Sequence, residues 1–179
     1  QELLKEALAE KEDAVVTVGV VKNGEMSYHV YGPDAKELAQ TEYPYEICSI
    51  TKTMTAALIA RAVQEEKLSL TDTIDKYLDL PEKNTYPTIA SLLTHTSGLD
   101  NYYFEWDMLS YLIHPEINPF KGITKENILE EYKQVKIKEN KDYGYSYSNY
   151  AFALLGLVLE NIYGTDYTEL IQQYLQDGL

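Results

Sequence analysis

The chain carries one clear strand pair and then no further strand signal. Ala14 to Val21 (AVVTVGVV) is apolar and rich in β-branched residues, which reads as a strand. Lys22-Asn23-Gly24-Glu25 follows. Asn-Gly is the strongest short hairpin signal, because a two-residue type I′ turn needs positive φ at both central positions. Glu25 to Tyr31 (EMSYHVY) alternates and completes the hairpin, and Gly32-Pro33 ends it. A two-stranded sheet is marginal alone, and a near-continuous apolar strand asks for burial on both faces or in mid-sheet. Nothing later in the chain reads as a strand. The pattern predicts a helix, two strands and then helices only, with a sheet that is incomplete here.

The helices follow from period and caps. Residues 2–12 place Leu3, Leu4, Ala7 and Leu8 on one face, the pattern of a short amphipathic helix. Ser49 to Glu66 has helical period and neither Gly nor Pro. Short helices are expected at 72–78 and 88–95, with Thr88 as N-cap and Gly98 as helix stop. Asn101 to Ile113 is aromatic and suggests another. Thr124 is a good N-cap for 125–134, and 136–145 reads as a polar turn region. Ser148 caps a long apolar helix to Tyr163, which Gly164 ends. A last helix is expected at about 166–176. The domain reading is an N-terminal helix and hairpin over 1–46 and a helical domain over 47–179.

Composition excludes some function classes. Lys plus Arg is 15 and Asp plus Glu is 29, a net charge of −14. Phosphate backbones and anionic membrane surfaces need a basic partner, so neither is expected. The one cysteine, Cys48, allows no internal disulfide and no Cys-rich metal site, and leading into a helix it reads as a small core residue. His29 and His114 show no ligand spacing, so no metal and no cofactor are expected. The longest apolar run, Tyr150 to Leu159, is ten residues, short of the roughly 18 that a spanning helix needs. The chain opens at Gln1 with no signal-peptide pattern, which reads as a trimmed or mature form. The one compositional excess, 17 Tyr, is read as amphipathic filler, a ring for packing and a hydroxyl for the rim.

Two segments could carry chemistry. Ser49 and Lys52 lie at i and i+3, one turn apart on one helix face. A serine hydroxyl needs a base to become a nucleophile, and a neighbouring lysine can supply one. Backbone N–H groups at a helix start favour a developing oxyanion. The pattern is cheap: 8 Ser and 14 Lys in 179 residues give about 0.6 such pairs by chance. A serine N-cap beside a surface lysine is the plainer reading. Tyr147-Ser148-Asn149 opens the second apolar helix. There a phenol could bond the nucleophile or leaving group, and an amide could orient lysine and substrate. Its plainer reading is a helix cap with a packed tyrosine.

A third segment changes the balance. Residues 92–99 read Leu-Leu-Thr-His-Thr-Ser-Gly-Leu. Taken in order with the Ser49-x-x-Lys52 segment and Tyr147-Ser148-Asn149, and with the opening hairpin, they closely resemble the serine β-lactamase-like family. That family holds class C β-lactamases, penicillin-binding proteins, DD-peptidases and related esterases and D-amino-acid peptidases. The resemblance runs over roughly 14 to 179. It implies an α/β (α+β) fold of β-lactamase/transpeptidase type, with a sheet domain only partly present and a helical domain. It implies Ser49 as the acylated nucleophile and Lys52 as its base partner. Tyr147 would be the second acid/base group and Asn149 the residue holding Lys52 and a substrate amide. His95 would be structural, satisfied at a helix end. Secretion or a cell-envelope location is implied by the same resemblance.

One family motif is missing. No Lys- or His-containing triad ending in Gly follows Asn149; in the family that strand lines the site and supplies the second oxyanion donor. The chain thus reads as the N-terminal half, with the C-terminal strands of the sheet domain absent and a possible C-terminal half as a separate chain. The function expected is a serine hydrolase acting on a β-lactam, a D-Ala-type peptide or a small ester or amide. The isolated chain is expected to be nearly inactive. The competing reading is a non-catalytic penicillin- or peptidoglycan-binding module, or an inert half needing its partner. The aromatic stretch 99–121 could line a pocket or belong to the core.

Overall fold

A computed structural model of the chain describes residues 2–9, 11, 13–39, 43–101, 122–139, 141 and 143–178. Two compact units are present, Gln1–Glu46 and Ile47–Leu179. The first begins with α1 (Glu2–Leu8) and continues into a three-stranded antiparallel sheet in the order β1-β2-β3. Strand β1 (Val16–Lys22) pairs with β2 (Glu25–Tyr31) from Val16↔Tyr31 to Lys22↔Glu25. Asn23 and Gly24 form the turn with φ of 52° and 82°, as a type I′ turn demands. The two-residue β3 (Glu37–Leu38) adds to β2 through Val30↔Leu38 and Tyr31↔Glu37.

Three expectations for this unit are corrected. The first helix stops at Leu8 rather than continuing to residue 12, and its apolar face is only partly covered: Leu8 is buried but Leu3 is 81% exposed. The third strand was not expected, because two residues carry no readable period. Strand β1 is not buried on both faces either. Val20 and Val21 are exposed, Val21 at 72%, and Met26 beside it on β2 is 81% exposed.

The helical unit holds the core. Helix α2 (Thr51–Gln64) buries Thr55, Leu58, Ile59 and Ala62, an i, i+3, i+4, i+7 stripe. Helix α3 (Ile89–Leu93) and helix α4 (Lys125–Glu131) are short. Helix α5 (Asn149–Tyr163) buries Tyr150, Ala151, Leu154, Leu155, Leu157, Val158 and Leu159, so its apolar surface extends well round the helix. Helix α6 (Tyr167–Gly178) closes the chain and buries Leu170. Each fully buried Leu, Ile or Val side chain contributes about 1.5–3 kcal/mol by leaving water. Salt bridges from Lys125 to Glu160 at 2.8 Å and to Asp166 at 2.7 Å tie the start of α4 to the end of α5 and the turn after it. Tyrosines act as filler here: Tyr150 is buried and donates to the Ile128 carbonyl at 2.6 Å, and Tyr167 shares a 2.6 Å hydroxyl bond with Thr55.

The caps decide the boundaries. Thr88 accepts from the Ser91 N–H, Thr124 forms a capping box with Asn127, and Ser148 accepts from the Ala151 N–H. Gly164 ends α5 at φ 65°. Four boundaries differ from expectation. Ser49 is no N-cap; it lies in a 3-10 turn, Cys48–Ile50, ahead of α2. The 72–78 segment holds only the 3-10 turn Ile74–Lys76. The last helix runs to Gly178. Gly98 is not the stop for α3, because His95 takes that place at φ 58°. The Thr96 N–H reaches the Ser91 carbonyl at 2.9 Å and the His95 N–H reaches Leu92 at 3.3 Å, the two bonds of a Schellman ending. The aromatic helix expected from Asn101 falls outside the described residues beyond 101.

Gly98 has a different task. At φ +76° its absent Cβ would lie 2.6 Å from the Tyr143 ring. Both the left-handed backbone and the contact demand glycine. Gly98→Ala is expected to cost about 1–3 kcal/mol in urea unfolding, where an exposed substitution such as Leu3→Ala stays within about 0.5 kcal/mol.

Candidate active site

All four residues singled out by their spacing meet at one point of the helical unit. The 3-10 turn Cys48–Ile50 delivers Ser49 to the start of α2, and the continuing helix sets Lys52 one turn on. The Ser49 Oγ and the Tyr147 hydroxyl are 2.7 Å apart. The Lys52 ammonium donates to Ser49 Oγ at 3.3 Å and to Asn149 Oδ1 at 2.5 Å. Its Nζ also lies 4.9 Å from the centre of the Tyr147 ring and 5.5 Å from that of Phe152. Ser49 and Tyr147 are 98 residues apart in the chain, so only the tertiary fold brings them together.

What fixes the second half of the cluster is the loop after α3. The Asn149 N–H and its side-chain amide both donate to Asn101 Oδ1, at 3.0 and 2.9 Å. That turns Asn149 Oδ1 toward Lys52. Ser148 Oγ donates to the Asp100 carbonyl at 2.7 Å while capping α5. The Tyr150 N–H donates to the Asn101 carbonyl at 3.1 Å, and the Ser146 N–H to the His95 carbonyl at 2.8 Å. Asn101 had no signal in the sequence: its role exists only through a contact 48 residues away.

The electrostatics make the Tyr147 phenol more acidic. Hydrogen bonding to Lys52 first, then to Ser49, and the ammonium charge together hold the Tyr147 pKa below the ordinary phenol value, against a smaller opposing effect of burial. Cys48, expected in the core, is exposed and adopts φ 47°, because the 3-10 turn lifts it off the buried stripe of α2. A cavity of about 310 Å³ opens beside Lys52, walled by Thr51, Thr55, Phe152, Gly156, Leu157 and Tyr167. The aromatic stretch weighed as a pocket wall lies almost wholly outside the described residues. Among those described, no three His, Cys, Asp or Glu side chains group as metal ligands. No helix there is long and apolar enough to cross a membrane.

The arrangement presents a serine hydroxyl, a phenol with lowered pKa touching it, and an ammonium that reaches the serine and is held by an amide. Comparison with known proteins identifies the family and the fold. The family model described as Beta-lactamase matches residues 1–178. The chain is 29% identical over 136 residues to the probable fimbrial assembly protein FimD, serogroup H1, of Dichelobacter nodosus, covering 74% of this chain and 32% of that protein. It thus spans about a third of the length of the curated relatives it matches. Among solved structures, the D-stereospecific amidohydrolase from Streptomyces sp. superposes with a TM-score of 0.71 at 22% identity, over 98% of this chain and 52% of that one. The β-lactamase/D-alanine carboxypeptidase from Yersinia pestis gives 0.64 at 21%, over 98% and 53%. These likenesses show the β-lactamase/transpeptidase-like fold.

A carbon-13 NMR titration of labelled tyrosine checks the electrostatic reading. The Tyr147 Cζ resonance, assigned with Tyr147→Phe, is expected to titrate below those of Tyr77, Tyr163 and Tyr167, which burial holds up. Lys52→Met is expected to move that midpoint up, since the largest lowering contribution is lost. An unchanged midpoint would remove Lys52 as the cause.

Proposed function

The chain belongs to the β-lactamase family, and from that premise we propose that it carries the acylation machinery of a serine hydrolase. Ser49 is the nucleophile, Tyr147 the acid/base shuttle that takes its proton, Lys52 the base partner that acts through Tyr147 as an ammonium, and Asn149 the residue that orients Lys52 and a substrate amide. The observation that carries this reading is the Ser49 Oγ held between the Tyr147 hydroxyl at 2.7 Å and Lys52 Nζ at 3.3 Å. Nucleophile, base and orienting group within hydrogen-bond reach is the general signature of covalent catalysis.

The geometry supports the following steps. Tyr147 reacts as its phenolate, which the Lys52 ammonium stabilises: it takes the Ser49 proton, becoming a phenol, as Oγ bonds to the carbonyl carbon of the substrate. The Ser49 backbone N–H at the start of the helix is one donor to the oxyanion. Tyr147 returns the proton to the leaving nitrogen or oxygen as the bond to carbon breaks, leaving an acyl group on Ser49. Water then attacks the acyl carbon, giving its proton to the same pair, and the freed acid departs while Ser49 Oγ recovers a proton. The substrate is an amide, lactam or ester: a β-lactam, a D-Ala-type peptide or a small ester. The names of the similar structures, a D-stereospecific amidohydrolase and a β-lactamase/D-alanine carboxypeptidase, support that class. Membership of the family favours a location at the cell envelope or outside the cell.

A second oxyanion donor completes the site from a C-terminal half, joined to this segment or separate from it. Removing one oxyanion donor typically costs about 10²–10³ in rate, so the 179-residue chain alone turns over slowly at most.

Intact mass under denaturing conditions tests the reading. Incubation with a fluorophosphonate, and separately with a penicillin, is expected to add one adduct that Ser49→Ala abolishes. Hydrolytic turnover makes the penicillin adduct transient in the protein complete with its C-terminal half; a permanent adduct there would instead identify a penicillin-binding sensor. No Ser49 adduct from either reagent in that complete protein would overturn the proposal.

A further inference from the structure

His95 stands at the junction of the two parts of the site. It ends α3 in the left-handed conformation, φ 58°, where glycine is the usual residue. Its ring occupies the space between α2 and the start of α5. The centroid is 4.6 Å from that of Tyr147, 5.7 Å from Tyr145 and 5.2 Å from Phe152. Its Nδ1 lies 3.1 Å from the Ser148 backbone nitrogen. A backbone N–H can only donate, so Nδ1 must accept and carries no proton. The ring is the neutral tautomer protonated on Nε2.

We propose that His95 is a positioning residue for the acylation chemistry, holding Tyr147 and the start of α5 in place only while its imidazole is neutral. The inference rests on the roles given above to Ser49 and Tyr147. Two contacts make the neutral state matter. Protonating Nδ1 sets two N–H donors face to face at Ser148, the residue between Tyr147 and Asn149. It also sets a second cation near Lys52. The groups facing the ring are the Lys52 ammonium from α2, the phenols of Tyr145 and Tyr147 from the segment ahead of α5, and Phe152 from α5 itself. Burial first, and then the Lys52 charge, hold His95 below the ordinary histidine value. The neutral form therefore predominates at neutral pH and is lost only as pH falls through that lowered midpoint.

The base and the positioning residue leave separable signatures. Below the Tyr147 midpoint, labelling of Ser49 falls tenfold per pH unit because one proton blocks the base. Below the His95 midpoint a second proton blocks the site, and the fall steepens to a hundredfold per unit. His95→Asn keeps an acceptor near the Nδ1 position, tolerates the left-handed backbone and does not titrate.

The experiment measures fluorophosphonate labelling rates against pH in the complete protein, for wild type and His95→Asn. Nitrogen-15 spectra of the Ser148 amide are followed over the same range. The expected result is a steepening in wild type that is absent from His95→Asn, with most of the labelling near pH 8 retained. The Ser148 amide is expected to shift with the His95 midpoint in wild type only. A steepening that survives in His95→Asn, or a Ser148 amide indifferent to His95, would overturn the proposal. If wild type takes no Ser49 label at all, the reading of function fails. The Ser148 titration then still decides whether His95 holds this segment.

Discussion

The start of α5 is tied to the loop after α3 by hydrogen bonds, and the positions of Tyr147 and Asn149 opposite Ser49 and Lys52 depend on that tie. Asn101 accepts from both the backbone and the side chain of Asn149 through one oxygen. Asp100 accepts from Ser148, and the His95 ring accepts from the Ser148 N–H. An amide side chain such as Asn149 has a carbonyl end and an NH₂ end. Holding the NH₂ end on Asn101 leaves the carbonyl for Lys52. The lysine is thereby held from the opposite helix, and it also donates to Ser49 Oγ. A network of this kind is satisfied only as a whole, and a partly satisfied one is costly.

The apolar core supplies the rigidity this tie needs. Helix α2 buries one continuous stripe against the wider apolar surface of α5, with Leu58, Ile59, Leu154, Leu155 and Val158 almost wholly removed from solvent. Packed at interior density, these side chains fix the spacing between the two helices, and that spacing fixes the distance between Ser49 and Tyr147. The division of labour is plain: apolar burial sets where the helices lie, and the polar loop sets which way the groups at their starts face.

How much of this was legible in the sequence depends on the range of the interaction. The Asn-Gly turn, the caps at Thr88, Thr124 and Ser148, and the stop at Gly164 were readable because each is decided by residues within four positions. The end of α3 was not, because His95 took the left-handed position that sequence alone assigns to Gly98. Gly98 is instead required by Tyr143, 45 residues away by sequence number. The core placement of Cys48 failed for a related reason: a 3-10 turn interposed before α2 changed which face the residue occupies. At the site, Ser49, Lys52, Tyr147 and Asn149 were found through ordered motifs and resemblance rather than periodicity. Asn101 escaped because one asparagine in a loop carries no pattern, and only the fold gives it a partner.

The central claim is that Lys52 and Tyr147, brought together from distant segments, act on Ser49 as one unit. A double-mutant cycle tests this directly. Fluorophosphonate labelling rates of Ser49 would be compared for wild type, Lys52→Met, Tyr147→Phe and the double variant. Groups acting as a unit are strongly non-additive. Either single substitution is then expected to cost nearly as much as both together. Independent losses that multiply in the double variant would contradict the account.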